Sequence, residues 1–385
     1  MADDFIYLDY NATTPVDQRV ADAMQPYLTE GFGNPSSGHR LGRQARAAVD
    51  DARTRVASCL GCDPGEVIFT SGGSESNNTA IIGVVNASGG GHVITSAVEH
   101  PAVLEVVLGL EMEGRIALSV VGVDGEGRVD PNTVERAIRS DTVLVTLMLA
   151  NNEVGAVQPV REIAELCRIR GIAVHTDAAQ AVGKIPVDVA ELGVDLLTVA
   201  GHKLYAPKGI GALYLRDGVP IEPLIRGAAH ERGRRAGTES VLLATGLGIA
   251  CTIVQQEIAV EVPRLINLRE RLAGRLRTGR PDMVVHGPRD RLPNTLSVAF
   301  PGVDANQLLG RLGDRVAASA GAACHSNRVA VSHVLAAMGV DTSIALATIR
   351  LSVGRFTTED EVDRAADEIL SAAGLPQGPQ RILVL

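Results

Sequence analysis

Short apolar runs rich in Val, Ile, Leu and Thr alternate along much of the chain with longer stretches rich in Ala, Arg and Glu. This alternation is typical of βαβ units, in which the strands lie side by side in a mostly parallel sheet. The predicted strands are residues 67–70, 92–95, 142–149, 172–176, 196–199 and 209–215. The sequence therefore predicts an α/β fold that is built on a mostly parallel sheet.

Polar residues follow each of the first five predicted strands. They are the segment 71–74, Glu99 with His100, the segment 151–153, Asp177, and His202 with Lys203. Ligands of open α/β sheets bind in the crevice at the carboxyl ends of the strands. We therefore expect these segments to meet at one site.

Lys203 and Asp177 carry the two functional groups that an enzyme dependent on pyridoxal 5'-phosphate needs. A lysine amine can form a Schiff base with the aldehyde of this cofactor. A carboxylate can keep the pyridine nitrogen protonated, so that the ring withdraws electrons from the substrate. A carboxylate at the end of an apolar strand is costly to bury unless it is paired, and the pyridinium would be such a partner. A helix N-cap is the alternative interpretation of Asp177.

The segment 70–78, which contains Ser74, follows a predicted strand and opens a predicted helix. Its backbone N–H groups and hydroxyls can therefore hold a phosphate at the positive end of the helix. A Gly/Ser turn that only caps the helix would have a similar sequence. The segment lacks the Gly-Lys-Ser/Thr ending of a nucleotide-binding P-loop, which argues against a nucleoside triphosphatase.

Five further residues are candidates for the same site. His100 can pack on a cofactor ring or be an ordinary core histidine, and Asn152 and Gln180 can donate hydrogen bonds to a cofactor or be turn residues. Arg350 lies on a predicted strand, where it needs an anionic partner such as the carboxylate of an amino acid. Cys324 lies in a loop of small residues that would leave its thiol accessible.

A chain of 385 residues is long enough for two domains, because single cores stop growing at roughly 250–300 residues. We expect a large domain over residues 17–256. The smaller α+β domain comprises residues 1–16 and 257–385, with a long charged helix, strands near 296–300 and 350–353, and the Cys324 loop.

The net charge of −9 and the pI of about 5.5 argue against a nucleic-acid partner. The five cysteines are odd in number and lack a disulfide-like spacing, so we expect reduced thiols and a cytoplasmic protein. The start of the chain is acidic, unlike a signal peptide. The apolar run 241–254 falls short of the roughly 20 residues that span a bilayer, which favours a buried helix and no membrane. The Cys59-x-x-Cys62 pair has no second pair, and we predict no metal site.

Several motifs occur in one order along nearly the whole chain. They are 8–15 (Leu-Asp-Tyr-Asn-Ala-Thr-Thr-Pro), 33–37 (Gly-Asn-Pro-Ser-Ser), 70–78, 151–155, 175–180, Gly201-His202-Lys203, Gly237-Thr238 and 350–355. In these motifs the chain resembles the cysteine desulfurases of the NifS/IscS type, within the class V aminotransferase family. The resemblance implies a homodimer of the fold-type I class, with pyridoxal 5'-phosphate on Lys203.

The resemblance also implies a role for each matching residue. Around the cofactor ring it implies Asp177 at the pyridine nitrogen, His100 on the ring face, and Asn152 and Gln180 near the phenolic oxygen. At the cofactor phosphate it implies Ser74, His202, and Thr238 from the other subunit. For the substrate L-cysteine it implies Asn34 and Arg350 at the carboxylate. It implies that Cys324 takes the sulfur as a persulfide, for delivery to a sulfur-acceptor or scaffold protein.

Two features depart from the pattern of these desulfurases, Ala200 and the sequence around Cys324. Ala200 stands where a serine usually binds the phosphate. Pro101 follows His100, at a position where selenocysteine lyases tend to have an acidic residue. The sequence around Cys324, Gly-Ala-Ala-Cys-His-Ser, is similar to that of selenocysteine lyases, although the loop has the longer desulfurase-like length. A lyase acting on L-selenocysteine is therefore the alternative.

Two other readings stay open. An ordinary aminotransferase would not need Cys324. A catalytically silent binding partner would need neither Cys324 nor Lys203.

Overall fold

The computed structural model describes residues 5–320, 322–325 and 328–374, with side chains described for 5–320 and 331–374. Its strands are β1 Ile6–Tyr7, β2 Val67–Thr70, β3 Gly91–Ser96, β4 Ile116–Val121, β5 Thr142–Met148, β6 Ala173–Asp177, β7 Leu196–Ala200, β8 Gly211–Leu215, β9 Val284–His286, β10 Thr295–Ala299, β11 Val316–Ala317, β12 Ser319–Ala320, β13 Ala322–His325, β14 Arg328–Val331 and β15 Thr348–Ser352. Its α-helices are α1 Gln18–Met24, α2 Pro26–Thr29, α3 Arg40–Leu60, α4 Gly73–Ser88, α5 Pro101–Met112, α6 Pro131–Ala137, α7 Val160–Arg168, α8 Val189–Leu192, α9 Val241–Gly279, α10 Ala305–Leu312, α11 His333–Ala337, α12 Thr342–Leu346 and α13 Glu359–Ala373.

The large sheet has seven strands in the order β2-β8-β7-β6-β5-β3-β4. Strands β7, β6, β5, β3 and β4 run parallel, and β8 runs antiparallel to both of its neighbours, β2 and β7. Because β2 and β7 both run opposite to β8, their carboxyl ends lie at the same edge as those of the parallel strands. The predicted mostly parallel sheet is therefore confirmed, and the sequence reading missed β4 at its edge.

Apolar side chains cover the large sheet on both faces. Alternate residues of β2 point to opposite sides: Val67 and Phe69 pack in the cluster that includes α3, α7 and α9, whereas Ile68 packs with α4 and α5. This alternation follows from the two-residue repeat of a strand. A sheet that is buried on both faces positions its strand ends firmly, which is what a site at that edge requires.

A second, antiparallel sheet has the order β12-β15-β10-β9. It packs in a separate apolar cluster with the C-terminal half of α9 and with α10 and α13. Two N-terminal residues, Ile6 and Leu8, belong to this second cluster. The domain boundary near residue 256 stays a prediction, and position 256 falls inside one continuous helix, α9.

Helix α9 differs from the prediction for this part of the chain. We expected a buried apolar helix that ends at Val254 and a separate charged helix after Glu257. Instead, one helix of 39 residues spans both segments and contains Pro263. By length and composition alone this helix could cross a membrane, but half of its most apolar stretch is buried within the protein. Core helices of soluble proteins can be equally long and apolar, and α9 buries apolar residues against α3. A proline is tolerated here because packing compensates for the one lost backbone hydrogen bond.

The segment around Cys324 forms a β-hairpin. Strand β13 pairs antiparallel with β14, and Cys324 lies opposite Val329. The Cys324 side chain and residues 326–327 lie outside the described residues. The predicted small-residue loop therefore contains two paired strands in its backbone.

The buried ion pair of Arg53 and Glu231 should be one of the larger single contributions to stability. Arg53 binds both carboxylate oxygens of Glu231 at 2.6 and 2.8 Å, and the two side chains are only 9% and 2% exposed. Replacing Arg53 by Met leaves a buried, unpaired carboxylate. We expect a loss of about 3–5 kcal/mol in the free energy of unfolding, measured by guanidinium denaturation.

The matched control is Arg226→Met, which removes an exposed partner of Glu222 with a side chain 73% exposed. We expect that change to stay within about 0.5 kcal/mol. Equal effects of the two substitutions would contradict the prediction.

Candidate active site

Five strands of the large sheet, β2, β3, β5, β6 and β7, end at one cavity of about 450 Å³. The cavity is lined by Asn11, Ala12, Gly73, Ser74, Asn77, His100, Ala102, Met148, Ala150, Asn152, Asp177, Ala179, Gln180, Ala200, His202, Lys203 and Arg350. Four of the segments expected to meet therefore do so through their side chains. From the segment after β3, His100 reaches the cavity, whereas Glu99 is buried behind it.

Most of the predicted site residues lie at this cavity. They are Ser74, His100, Asn152, Asp177, Gln180, His202, Lys203 and Arg350. The structure does not bring Asn34 and Thr238 to it, since both are exposed and do not line it. The side chain of Cys324 lies outside the described residues. The roles assigned to all of these residues stay predictions.

A wider groove of about 910 Å³ lies elsewhere, between Cys62, Arg161 and Tyr214. Its lining contains none of the predicted site residues that the structure describes. Within residues 5–320 and 331–374, no group of three His, Cys, Asp or Glu side chains could hold a metal ion. The smaller cavity is the candidate site because of its chemistry, not its size.

Lys203 lies in a short 3₁₀ turn directly after β7. Its Nζ donates to the backbone carbonyls of Asn11 at 2.6 Å and Ala12 at 2.7 Å. Burial lowers the pKa of Lys203 to about 8, and Arg350 adds to the effect while Asp177 opposes it. An amine with this pKa is partly neutral near pH 8 and can act as a nucleophile.

Asp177 ends β6 and is 6% exposed. Its Oδ2 accepts from Nδ2 of Asn77 at 2.7 Å, and its Oδ1 accepts from the backbone N–H of Ala179 at 2.9 Å. Both donors are neutral, so neither of them forms an ion pair with the carboxyl group. The Oδ1 of Asn77 is buried without a hydrogen-bond partner. This part of the cavity wall therefore contains the carboxyl group of Asp177, which is held in place, and an amide oxygen of Asn77 that accepts no hydrogen bond.

Helix α4 begins at the cavity with Gly73 and Ser74. Its N-cap, Gly72, provides no side-chain hydrogen bond, so the first backbone N–H groups are available to an anion. A Cβ at Gly73 would lie 3.2 Å from that of Ala200, so the helix start and the end of β7 approach closely. This is the geometry that was expected of a phosphate site.

His202 lies beside this helix start. Burial lowers its pKa to about 4, and the cations Lys203, Lys208 and Lys184 add to the effect. Its Nδ1 lies 3.2 Å from the hydroxyl of Thr13. At neutral pH the ring is therefore neutral and carries one N–H, and that N–H is on Nε2 when Nδ1 accepts from the hydroxyl of Thr13.

His100 and Glu99 follow β3 and behave differently. His100 is exposed at the cavity and caps α5, where its Nδ1 accepts from Ala102 at 3.1 Å. Glu99 is fully buried, and its carboxyl accepts from the hydroxyl of Ser96 and from the backbone N–H of Met148. Burial raises the pKa of Glu99 to about 8. Glu99 thus joins the ends of β3 and β5 instead of facing the ligand.

Arg350 lies on β15, in the second sheet, and reaches the cavity from the opposite side. Its Nη2 donates to Asp9 at 2.7 Å and to Ser319 at 3.0 Å, and its Nη1 donates to the carbonyl of Asn152 at 3.1 Å. Its Nε is buried without a hydrogen-bond partner. The guanidinium is therefore held in place by the protein, and its Nε–H has no hydrogen-bond partner among the described residues.

Serine hydroxyls tie both ends of the Cys324 hairpin to this region. On the N-terminal side, Ser319 bonds Asp9 at 2.9 Å and contacts Arg350. On the C-terminal side, Ser332 donates to Glu153 at 2.5 Å, next to Asn152. The ends of the hairpin are thus anchored beside the cavity, which brings the backbone of Cys324 to the same part of the molecule.

Pyridoxal 5'-phosphate fits the groups that the cavity presents. The reactive amine of Lys203 matches its aldehyde, and the carboxylate of Asp177 matches a protonated pyridine nitrogen. The uncapped start of α4 matches its phosphate. The residues present are therefore compatible with this cofactor.

Sequence reasoning missed four residues of the site: Asp9, Asn11, Asn77 and Lys184. Asp9 and Asn11 lie in the motif 8–15, and Asn77 lies in the segment 70–78, so both motifs contained the signal. Lys184 bonds Gln180, four residues before it, whereas the roles of the other three depend on partners more than 90 residues away, such as Asp177 for Asn77 and Arg350 for Asp9. No local pattern predicts such pairings.

The lowered pKa of Lys203 predicts selective reactivity. An ordinary exposed lysine titrates near 10.4, so it is almost fully protonated at pH 8. We expect formaldehyde with cyanoborohydride to methylate Lys203 of the cofactor-free protein with a midpoint near pH 8, as followed by peptide mass spectrometry. The exposed Lys208 is the internal control. Labelling of Lys208 before Lys203 as the pH rises would contradict the prediction.

Comparisons with known proteins identify similar chains and a matching family. A model of the family described as aminotransferase class-V matches residues 6–365. The chain is 44% identical over 366 residues to the cysteine desulfurase IscS of Dictyoglomus turgidum, covering 94% of this chain and 93% of that protein. A solved NifS-like protein superposes with a TM-score of 0.90 at 38% identity, covering 95% and 98% of the two chains. The structure described as SspA in complex with cysteine gives a TM-score of 0.78 at 35% identity, covering 92% and 100%.

Proposed function

The chain belongs to the class V aminotransferase family, and we propose that it is a cysteine desulfurase dependent on pyridoxal 5'-phosphate. The observation that carries the proposal is the meeting of Lys203, Asp177, the start of α4 and Arg350 at one cavity. An amine, a carboxylate, an anion site and a free guanidinium donor together suit an amino-acid substrate on this cofactor. The similarity to proteins named cysteine desulfurase selects the reaction within the family.

Each cofactor-binding residue has one task in this proposal. The start of α4 with Ser74 and His202 holds the phosphate, and Asp177 keeps a negative charge beside the ring. When bound, pyridoxal 5'-phosphate supplies an electron sink for the bonds around the substrate α-carbon. Lys203 anchors the cofactor and, with its lowered pKa, can accept and return a proton at Nζ.

Arg350 selects the substrate by its carboxylate. Asp9, Ser319 and the carbonyl of Asn152 hold the guanidinium, so little side-chain freedom is lost when the carboxylate binds. L-cysteine is the substrate of the proposal. The similarity to the structure described as SspA in complex with cysteine supports this choice.

Cys324 completes the reaction as the sulfur acceptor. L-cysteine and the Cys324 thiol give L-alanine and a Cys324 persulfide, so one C–S bond breaks and one S–S bond forms. The anchoring of the hairpin at Ser319 and Ser332, next to the cavity, supports this role. A sulfur-acceptor or scaffold protein would then take the sulfur from Cys324.

A homodimer is part of the proposal. Thr238 is exposed and does not line the cavity of its own subunit. A residue that binds the cofactor phosphate in the other subunit would lie on the surface in this way. Near Thr238, the backbone N–H of Ala236 donates a hydrogen bond to the carbonyl of Ile225. Leu224 and Ile225 are 37% and 39% exposed. Apolar side chains exposed beside Thr238 suit a subunit interface.

The second candidate is a selenocysteine lyase, and the sequence around Cys324 is the one feature that supports it. The relative and the NifS-like structure described above favour sulfur. Alanine release from L-cysteine and from L-selenocysteine, measured under reductant, separates the two. Turnover of L-selenocysteine alone would overturn the proposal in favour of the lyase.

Two of the three residues predicted to be catalytic, Lys203, Cys324 and His100, should lose activity in different ways when they are replaced. We expect Lys203→Ala to lose both the visible absorbance of the bound cofactor and alanine release. We expect Cys324→Ser to keep the absorbance but lose alanine release by at least 100-fold, because removal of a nucleophile costs several orders of magnitude in rate. Cys62→Ser, a half-buried cysteine in the distant groove, is the control and should keep both. Full activity of Cys324→Ser would exclude Cys324 as the sulfur acceptor.

Arg350 should control recognition of the carboxylate. We expect Arg350→Met to lower kcat/KM for L-cysteine by roughly 10- to 100-fold, since a hydrogen bond to a charged group is worth about 1.5–3 kcal/mol. L-cysteine methyl ester, which lacks the charge, should lose much less. The ratio of the two kcat/KM values removes any effect on the amount of folded enzyme. An unchanged ratio would refute the assignment.

A further inference from the structure

Lys184 is a buried lysine that the proposed mechanism does not use. It follows β6 in the chain, is 6% exposed, and lies behind the cavity wall. Three of the 36 basic residues of the chain are lysines, namely Lys184, Lys203 and Lys208, and the others are arginines. A compact ammonium group fits a buried position that a planar guanidinium would not. Two of the three lysines therefore lie at or directly behind the site.

The ammonium group of Lys184 binds the side chain of Gln180. Its Nζ donates to Oε1 of Gln180 at 2.6 Å. The pKa of Lys184 is well below its usual value because the side chain is buried, with Lys203 and Arg350 adding to the effect. The protein therefore keeps an amine here at a cost in desolvation, which implies a task for it.

The amide of Gln180 is held at both ends. Its Oε1 accepts from Lys184, and its Nε2 donates to the carbonyl of Asn11 at 3.0 Å. The same carbonyl accepts from Lys203 at 2.6 Å. An amide NH₂ has two hydrogens, so one N–H of Gln180 is left over, and Gln180 lines the cavity. A reversed amide would place Oε1 against the carbonyl oxygen of Asn11, which is an acceptor.

We propose that Lys184 is a positioning residue that holds Gln180 with its remaining N–H directed into the cavity, as a donor to an anionic oxygen of the cofactor on Lys203. The inference rests on the proposed function. Without Lys184 the carbonyl end of Gln180 loses its partner, and the amide is free to rotate away from the cavity. The hydrogen bond to the anionic oxygen is then weaker, although Gln180 itself is still present.

A spectral titration of the bound cofactor tests this role. A hydrogen bond donated to an anion stabilises the deprotonated form and lowers its pKa. We therefore expect Lys184→Met to raise the midpoint pH of the visible absorbance change by roughly one unit. Methionine has a similar shape and leaves no unpaired charge, so the variant should fold, which its thermal denaturation checks. Lys208→Met removes an exposed lysine and should leave the midpoint unchanged.

A double-mutant cycle separates positioning from a direct effect of charge. If Lys184 acts through Gln180, then Gln180→Ala should shift the midpoint by a similar amount, and adding Lys184→Met to it should cause little further change. If the two shifts add, or if Lys184→Met leaves the midpoint unchanged, the positioning role is wrong.

Failure of the proposed function would look different. In that case the wild-type protein would develop no visible absorbance with pyridoxal 5'-phosphate. That outcome would overturn the cofactor assignment, and the inference on Lys184 with it.

Discussion

The buried Asn11 connects the two sheets at the cavity. It is 1% exposed, and its backbone carbonyl accepts from both Lys203 and Gln180. Its side chain donates to Thr295 on β10 at 2.8 Å, and its backbone N–H donates to Ser352 on β15 at 2.9 Å. Because a buried polar group must find hydrogen-bond partners, these contacts hold the second sheet against the strand ends of the first. Arg350 reaches the cavity only because of this arrangement.

Burial determines the protonation states at the site. It lowers the pKa of Lys203 and of His202, and it raises the pKa of the neighbouring Glu99. In each case the shift disfavours the charged form, as expected where water is excluded. The cavity therefore presents a reactive amine and a neutral imidazole at ordinary pH. The carboxyl group of Asp177 accepts hydrogen bonds there from two neutral donors.

The sequence predicted the parts of the fold that repeat locally. Strands such as β2 and β7 were predicted closely because apolar runs bounded by polar residues identify them. Helix α9 was divided in error, because the change from apolar to charged residues and Pro263 suggested an end that tertiary packing overrides. The predicted meeting of Asp177 with Lys203 at one cavity also followed from local signals, since carboxyl ends of parallel strands share an edge.

The sequence by itself determined the class of fold, the edge of the sheet where the site lies, and the residue types available there. These follow from short-range patterns: hydrophobic periodicity and the polar residues at strand ends. Only the tertiary structure decided that Asp9 holds Arg350, that Asn77 holds Asp177 and that Lys184 holds Gln180. A hydrogen bond is selected by the distance and direction between two groups, and the whole fold sets both. Asp9 and Arg350, or Asn77 and Asp177, therefore carry no local sign of their partners, and the four-residue spacing of Gln180 and Lys184 does not by itself show that the two side chains meet.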